Sequence, residues 1–360
     1  MVYIVLFLLL LALMNVYFSL GRKYGIVAHV NERSSHKKPV ITGAGIIFVV
    51  SYLFYLVYAS WKGIHVNWFI SIAALLIAIV SFFDDIKEIW FLFRLCFQIV
   101  AVILLMWQLK VDFSISFLGL KMLDWIAFSF LLILFVAAVN LYNFIDGING
   151  LIAGLSLVFF FSVIFIDYYV IDFIENREKI YFLIVPTIIF SLYNFRKKPV
   201  CFCGDVGSIF LGIIVVYFLA SLIIKTNNFT YVLLFSLIII EAGYTVIQRL
   251  LMGQNIFKPH RIHLFQLLCN QYGHSHLKVT LFYVLIQTVL SLFVVLANYY
   301  DLSITWQYSV GAVVFFMLSL SYVLYKRKLQ GGHLLEGGEL IRKLRKIVYK
   351  KESNKHIKKN

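Results

Sequence analysis

The chain has 360 residues, 62% of them hydrophobic and only 14% charged, with a formal net charge of +15. A soluble domain carries about 45–50% apolar and about 25% charged residues, so this balance excludes a soluble enzyme, a disordered chain and a secreted disulfide scaffold. The apolar residues come in long unbroken runs, not in the alternation over about ten residues that marks barrel strands, and the class left is a polytopic all-α membrane protein.

Reading for runs of about 17–25 apolar residues predicts eleven spans. They lie at 2–20, 43–61, 68–83, 91–109, 122–141, 151–171, 179–194, 207–225, 230–250, 279–299 and 306–325. The first run has no basic residue before Arg22 and no small-residue cleavage site, so it reads as a helix and not as a signal peptide. Residues 1–325 are taken as one transmembrane domain and 326–360 as a basic cytoplasmic tail. The four cysteines, Cys96, Cys201, Cys203 and Cys269, lack the paired spacing of a zinc site and read as reduced bystanders.

Lys and Arg counts on alternate sides set the orientation. With the N-terminus outside and the C-terminus inside, the inner segments and tail hold 26 of the 32 basic residues. Twelve of these are in the tail, and without it the split is still 14 to 6. The positive charge is thus a topology signal, helped by attraction to anionic lipid, and nucleic acid is not an expected partner.

In this phase the chemistry-bearing residues fall in the five inner connections, 21–42, 84–90, 142–150, 195–206 and 251–278, and the outer connections show no comparable cluster. Acids at an apolar boundary are costly and tend to be functional. The first loop carries His36-Lys37-Lys38-Pro39. Asp84-Asp85 ends the third span. Neighbours on a helix point about 100° apart, so one carboxylate can serve a metal or a nucleophile while a cation holds the other.

Asn140 and then Asn143-x-x-Asp146-Gly147-x-Asn149-Gly150 follow the fifth span, with Asn143 and Asp146 on one face of a helical turn. Phe202-Cys203-Gly204-Asp205-Val206-Gly207-Ser208 sets an acid on a glycine loop at the start of the eighth span. That acid suits Mg²⁺ bridging phosphates, and Phe202 suits a stacked base. The fifth loop carries Pro259-His260-Arg261-Ile262-His263, cations that match phosphate oxygens. Carboxylates, glycine-loop amides and cations together describe a phosphate-handling site at the inner membrane face. No Walker A motif is present, so ATP-driven transport is not indicated.

In chain order these motifs resemble the polyprenyl-phosphate N-acetylhexosamine-1-phosphate transferases, glycosyltransferase family 4, the group that contains MraY, WecA and TagO. The resemblance runs from His36 to His263 and includes the eleven-span count of the WecA-like branch. It implies transfer of a sugar-1-phosphate from a UDP-N-acetylhexosamine to undecaprenyl phosphate in the inner (plasma) membrane, with Mg²⁺, or Mn²⁺ in its place, and release of UMP. A homodimer is compatible with it.

Catalytic candidates are Asp84, Asp85, Asp146, His260, Arg261 and His263. Substrate-binding candidates are Lys37, Lys38, Asn140, Asn143, Phe202, Gly204, Gly207 and Ser208. Metal-ligand candidates are Asp205, Asp84 and Asp85.

Two features depart from the family pattern. Asn149 stands where the second acid of D-G-x-D-G is common, and the fifth loop has neither three consecutive histidines nor the His-Ile-His-His form. That loop looks most like the WbpL-type branch, which initiates O-antigen or capsule chains. A secondary transporter is the competing class, but Glu241 is the clearest mid-span ionisable residue and no repeat is evident. A CDP-alcohol phosphatidyltransferase would need an Ala-Arg pair that the Asp146-Gly147 segment lacks.

Overall fold

A computed structural model describes residues 1–28, 39–110, 121–255 and 261–330, with the side chains of 121–124 left aside. The fold is all-α. Helices α1 (Val2–Tyr24), α2 (Ile46–Lys62), α3 (Trp68–Ile86), α4 (Phe91–Gln108), α5 (Lys121–Phe144) and α6 (Leu151–Tyr169) cover the first six expected spans. Helices α7 (Glu178–Asn194) and α8 (Gly204–Thr226) follow.

The ninth span is broken: a 3₁₀ segment Phe229–Phe235, a short α9 (Ser236–Ile238), a π segment Ile239–Gly243, then α10 (Tyr244–Leu251). A small α11 (Leu264–Asn270) precedes α12 (His276–Tyr299) and α13 (Ile304–Leu329). Among the described residues, nine helical stretches are long and apolar enough to cross a membrane, and α2 is a shorter apolar helix.

Helix α8 is the hub. Its apolar residues run all round, which suits a helix enclosed by others, and its membrane-length window is 72% buried against 17% for α13 at the edge. Helix α8 packs on α3, α5, α2 and α6. Where α2 meets α8 the backbones touch: a Cβ on Gly207 would lie 2.5 Å from Gly45 Cα. Small residues permit such an approach between membrane helices. Gly207, a substrate-binding candidate by sequence, therefore sits in a helix crossing.

The inner connections are stitched together. Strands β1 (Val27–Ala28) and β2 (Val40–Ile41) pair antiparallel, and Ile41 forms a parallel bridge to Cys201. The Phe202 amide donates to Ile41 O (2.7 Å), and the Ala44 amide donates to Phe202 O (3.0 Å). The first loop thereby fixes the fourth against the start of α8.

The other end of the bundle is more polar than the sequence suggested. The Asp167 carboxylate accepts from the Phe173 and Ile174 amides (2.9 and 2.7 Å) and pairs with Arg177. Buried Lys179 donates to Asn67, which donates to Glu175. These residues are scattered over 67–179, and only tertiary packing assembles them into a set of loop anchors.

Candidate functional site

The site is built around the first turn of α8. Gly204 sits at φ 74°, and a Cβ there would lie 2.5 Å from an Asp85 oxygen and 2.7 Å from the Gly43 backbone. Both conditions call for glycine. The turn presents the Asp205 and Val206 amides to Asp85, which accepts them at 2.9 and 3.0 Å through its two oxygens. Asp85 thus uses both oxygens to lock the end of α3 onto the start of α8.

Asp84 points elsewhere, as adjacent helical positions must. It accepts from the Ile89 amide (2.7 Å) and pairs with the Arg94 guanidinium. The same Arg94 Nη1 donates to Asp205 at 2.8 Å, so one cation bridges two of the four acids. Asn143 Nδ2 donates to the other Asp205 oxygen at 3.1 Å. Asp146 completes the group. Burial, with Asp205 and Asp85 nearby, pushes its carboxyl up to about 8, and a hydrogen bond from the Gly204 amide opposes the shift. Carboxylates this close disfavour one another's ionised forms and favour a bound cation.

Arg94 was missed by sequence reading. It lies in the apolar run of α4, where a lone Arg is costly and therefore informative; its position in the fourth span was the available signal.

Of the substrate-binding candidates, Asn143 and Gly204 are at the cluster and Phe202 is on the adjoining strand-like segment. Asn140 is turned to α4, donating to Gln98 Oε1 at 2.8 Å. The Ser208 hydroxyl donates back to Gly204 O at 2.9 Å within its own helix. Asn149 is buried, its side-chain amide donating to Arg196 O at 2.8 Å while its backbone carbonyl accepts from the Thr280 hydroxyl at 2.8 Å. An Asp there would lose the amide donor, which accounts physically for the departure from D-G-x-D-G.

Lys37, Lys38 and His260 lie outside the described residues. His263 is buried, with its ring stacked 5.1 Å from Phe265 and its Nδ1 3.5 Å from Glu241. Phe265 in turn covers Gly147, where a Cβ would approach its ring to 2.5 Å, so the fifth loop packs directly on the Asp146 turn. Among the described residues the cysteines stay outside the chemistry: burial raises the Cys201 and Cys203 thiols well above their usual range.

Among the described residues no three His, Cys, Asp or Glu side chains are gathered as a ready-made metal cage. The donor chemistry nevertheless fits Mg²⁺, which binds through hard oxygens and usually takes one or two carboxylates, completing its shell with water and phosphate. Asp84, Asp85, Asp146 and Asp205 are all donors of this kind; Asp205 accepts from Arg94 and Asn143, Asp85 from two amides, and Asp84 from Arg94 and the Ile89 amide.

A bundle of apolar helices with carboxylates, loop amides and a guanidinium gathered at one end describes an all-α polytopic membrane protein. The profile described as glycosyl transferase family 4 matches residues 67–227, which contain all four acids of the cluster.

Curated relatives agree with that match. A probable undecaprenyl-phosphate N-acetylglucosaminyl 1-phosphate transferase of Bacillus subtilis is 29% identical over 58% of this chain and 59% of its own length. An undecaprenyl-phosphate alpha-N-acetylglucosaminyl 1-phosphate transferase of Escherichia coli O157:H7 is 24% identical over 85% of this chain and 84% of its own. A phospho-N-acetylmuramoyl-pentapeptide-transferase of Fervidobacterium nodosum is 29% identical over 41% of this chain, which spans 47% of that relative. The chain is thus similar, over its middle part and in these relatives, to glycosyl transferase family 4.

Proposed function

We propose that this protein transfers an N-acetylhexosamine-1-phosphate from a UDP-sugar to undecaprenyl phosphate, giving an undecaprenyl-pyrophosphoryl sugar and UMP. The observation that carries the reading is Asp205, set on the first turn of α8 and held by Arg94 and Asn143 beside Asp146. A phosphate oxygen of the lipid attacks the sugar-bearing phosphorus of the donor. The bond to the UMP oxygen breaks, and UMP leaves with the electron pair.

The acceptor monoester has a second pKa of about 6 and is already mostly dianionic at pH 7, so catalysis rests on positioning and charge neutralisation more than on a strong base. Mg²⁺ held by Asp205 and Asp146 would neutralise the diphosphate. Asp85 keeps the α8 turn in place and Asp84 orients Arg94. Phe202 offers a stacking face to uracil, and Lys37, Lys38, His260 and Arg261 supply the remaining positive charge toward phosphates. The form of the fifth loop favours a WbpL-like role, initiating O-antigen, capsule or another envelope polysaccharide. The test is mass spectrometry of the lipid product formed by purified protein, undecaprenyl phosphate and a panel of UDP-N-acetylhexosamines that includes 6-deoxy sugars. A pyrophosphate-linked product with at least one donor is expected; no product with any donor would defeat the proposal.

In this reading the carboxylate end of the bundle faces the cytoplasm in the inner membrane. The basic-residue split places residue 1 outside and residue 360 inside. A C-terminal alkaline phosphatase fusion is therefore expected to be inactive and a C-terminal fluorescent protein bright, and the reverse pattern would invert the assignment.

A further inference from the structure

Glu241 stood out in the sequence as an acid in mid-span, and nothing in the transfer chemistry above uses it. It lies in the π segment Ile239–Gly243, and π-bulges occur often at functional sites. Its side chain is almost wholly enclosed. Oε1 accepts the Leu264 amide at 2.7 Å and the Tyr322 hydroxyl at 3.2 Å, and Oε2 accepts the Tyr283 hydroxyl. His263 Nδ1 is 3.5 Å from Oε1. Lys326 stands behind, donating to Thr245 Oγ1 (2.7 Å) and to the Tyr322 hydroxyl (3.1 Å), so α10, α12 and α13 all contribute to the setting.

Every direct partner of this carboxylate either belongs to the fifth loop or holds the carboxylate still. His263 is the residue immediately before α11, and Leu264 opens that helix. The same short segment carries Phe265 onto Gly147, one residue from Asp146. We infer that Glu241 is a positioning residue: it fixes the fifth inner loop against the carboxylate cluster and sets the orientation and proton of His263. A carboxylate facing Nδ1 selects the Nδ1-protonated ring and leaves Nε2 for the other side, as carboxylates do for histidines in many sites. The inference rests on the proposed transfer reaction and on His263 taking part in it.

The test is a double-mutant cycle in purified enzyme, with Glu241→Gln, His263→Asn and both together, followed by UMP exchange and by ¹⁵N-histidine NMR. Gln is isosteric and keeps an oxygen for the Leu264 amide, so the fold is preserved while the charge is lost. Thermal unfolding of each variant checks this. About a tenfold loss of kcat/KM is expected for Glu241→Gln, corresponding to one charge-assisted contact. The double variant should be no slower than His263→Asn alone, because Glu241 acts through that ring. The Nδ1 proton signal of His263 should move upfield in Glu241→Gln, because a neutral amide oxygen polarises it less than a carboxylate does, a readout that needs no turnover.

Full activity of Glu241→Gln beside an impaired His263→Asn would overturn the inference while leaving the transfer reaction intact. Losses that simply multiply would also overturn it, by making Glu241 a structural group independent of His263. A fully active His263→Asn, or a wild-type enzyme without exchange, would remove the reading beneath it and the inference together.

Discussion

Replacing Asp205 by Asn is expected to slow transfer by about a hundred- to a thousandfold, the usual loss when a charge-stabilising group is removed from a reaction centre. The substitution changes few atoms, and the protein should still insert and fold. It cancels the anion that faces Arg94 at 2.8 Å and places an amide in competition with that guanidinium. In the proposed reaction it also removes a carboxylate that would share Mg²⁺ with the donor diphosphate. The half-saturating Mg²⁺ concentration should therefore rise together with the loss of rate. A variant with wild-type rate and wild-type Mg²⁺ dependence would take Asp205 out of the mechanism.

The second large effect is expected at Arg94. This guanidinium is the cation that pairs with both Asp84 and Asp205, and the Asp84 side chain is only 8% exposed. Removing one partner of a buried ion pair costs about 3–5 kcal/mol, and partial exposure of Arg94 argues for the lower end. Arg94→Leu should lower the unfolding temperature in detergent and reduce turnover about a hundredfold. Arg94→Lys should recover only part of this, because the shorter, more strongly hydrated ammonium must bring its one nitrogen to the point where Nη1 meets both carboxylates.

One consequence separates a charge role from mere packing. Mg²⁺ should stabilise Arg94→Leu more than it stabilises wild type, since a bound cation then relieves the repulsion the guanidinium had relieved. Equal stabilisation of both proteins, or an unperturbed variant, would contradict the electrostatic role.

How far the site could be read beforehand depended on the range of the interactions. Each expected span meets a helix, or in the ninth a run of helical pieces, because a membrane span is a local property of about twenty apolar residues. Asp84, Asp85, Asp146 and Asp205 were visible because acids at apolar boundaries stand out whatever they contact. The divergence of Asp84 from Asp85 followed from helix geometry alone.

Other features depended on contacts between distant segments. Arg94 was hidden inside an apolar run, and its meaning emerges only when α4 meets α3 and α8. Asn140 looked like a ligand by its spacing from Asn143, but α4 supplies Gln98 across from it. Ser208 and Gly207 matched a motif whose local duty is to close the α8 turn and let α2 approach. His263 read as a cation matching phosphate oxygens; in the fold it is buried, facing Glu241, 22 positions earlier. The break of the ninth span into 3₁₀, α and π pieces left no mark in its hydropathy.

The decisive measurement is exchange of radiolabelled UMP into UDP-N-acetylhexosamine by the purified protein, in the presence of undecaprenyl phosphate and Mg²⁺. A reversible transfer at the Asp205 cluster predicts exchange that requires the lipid phosphate, is lost with chelator, and falls with Asp205→Asn and Arg94→Leu. Absence of exchange from well-folded wild-type protein with every donor tested, or exchange indifferent to Asp205, would contradict it.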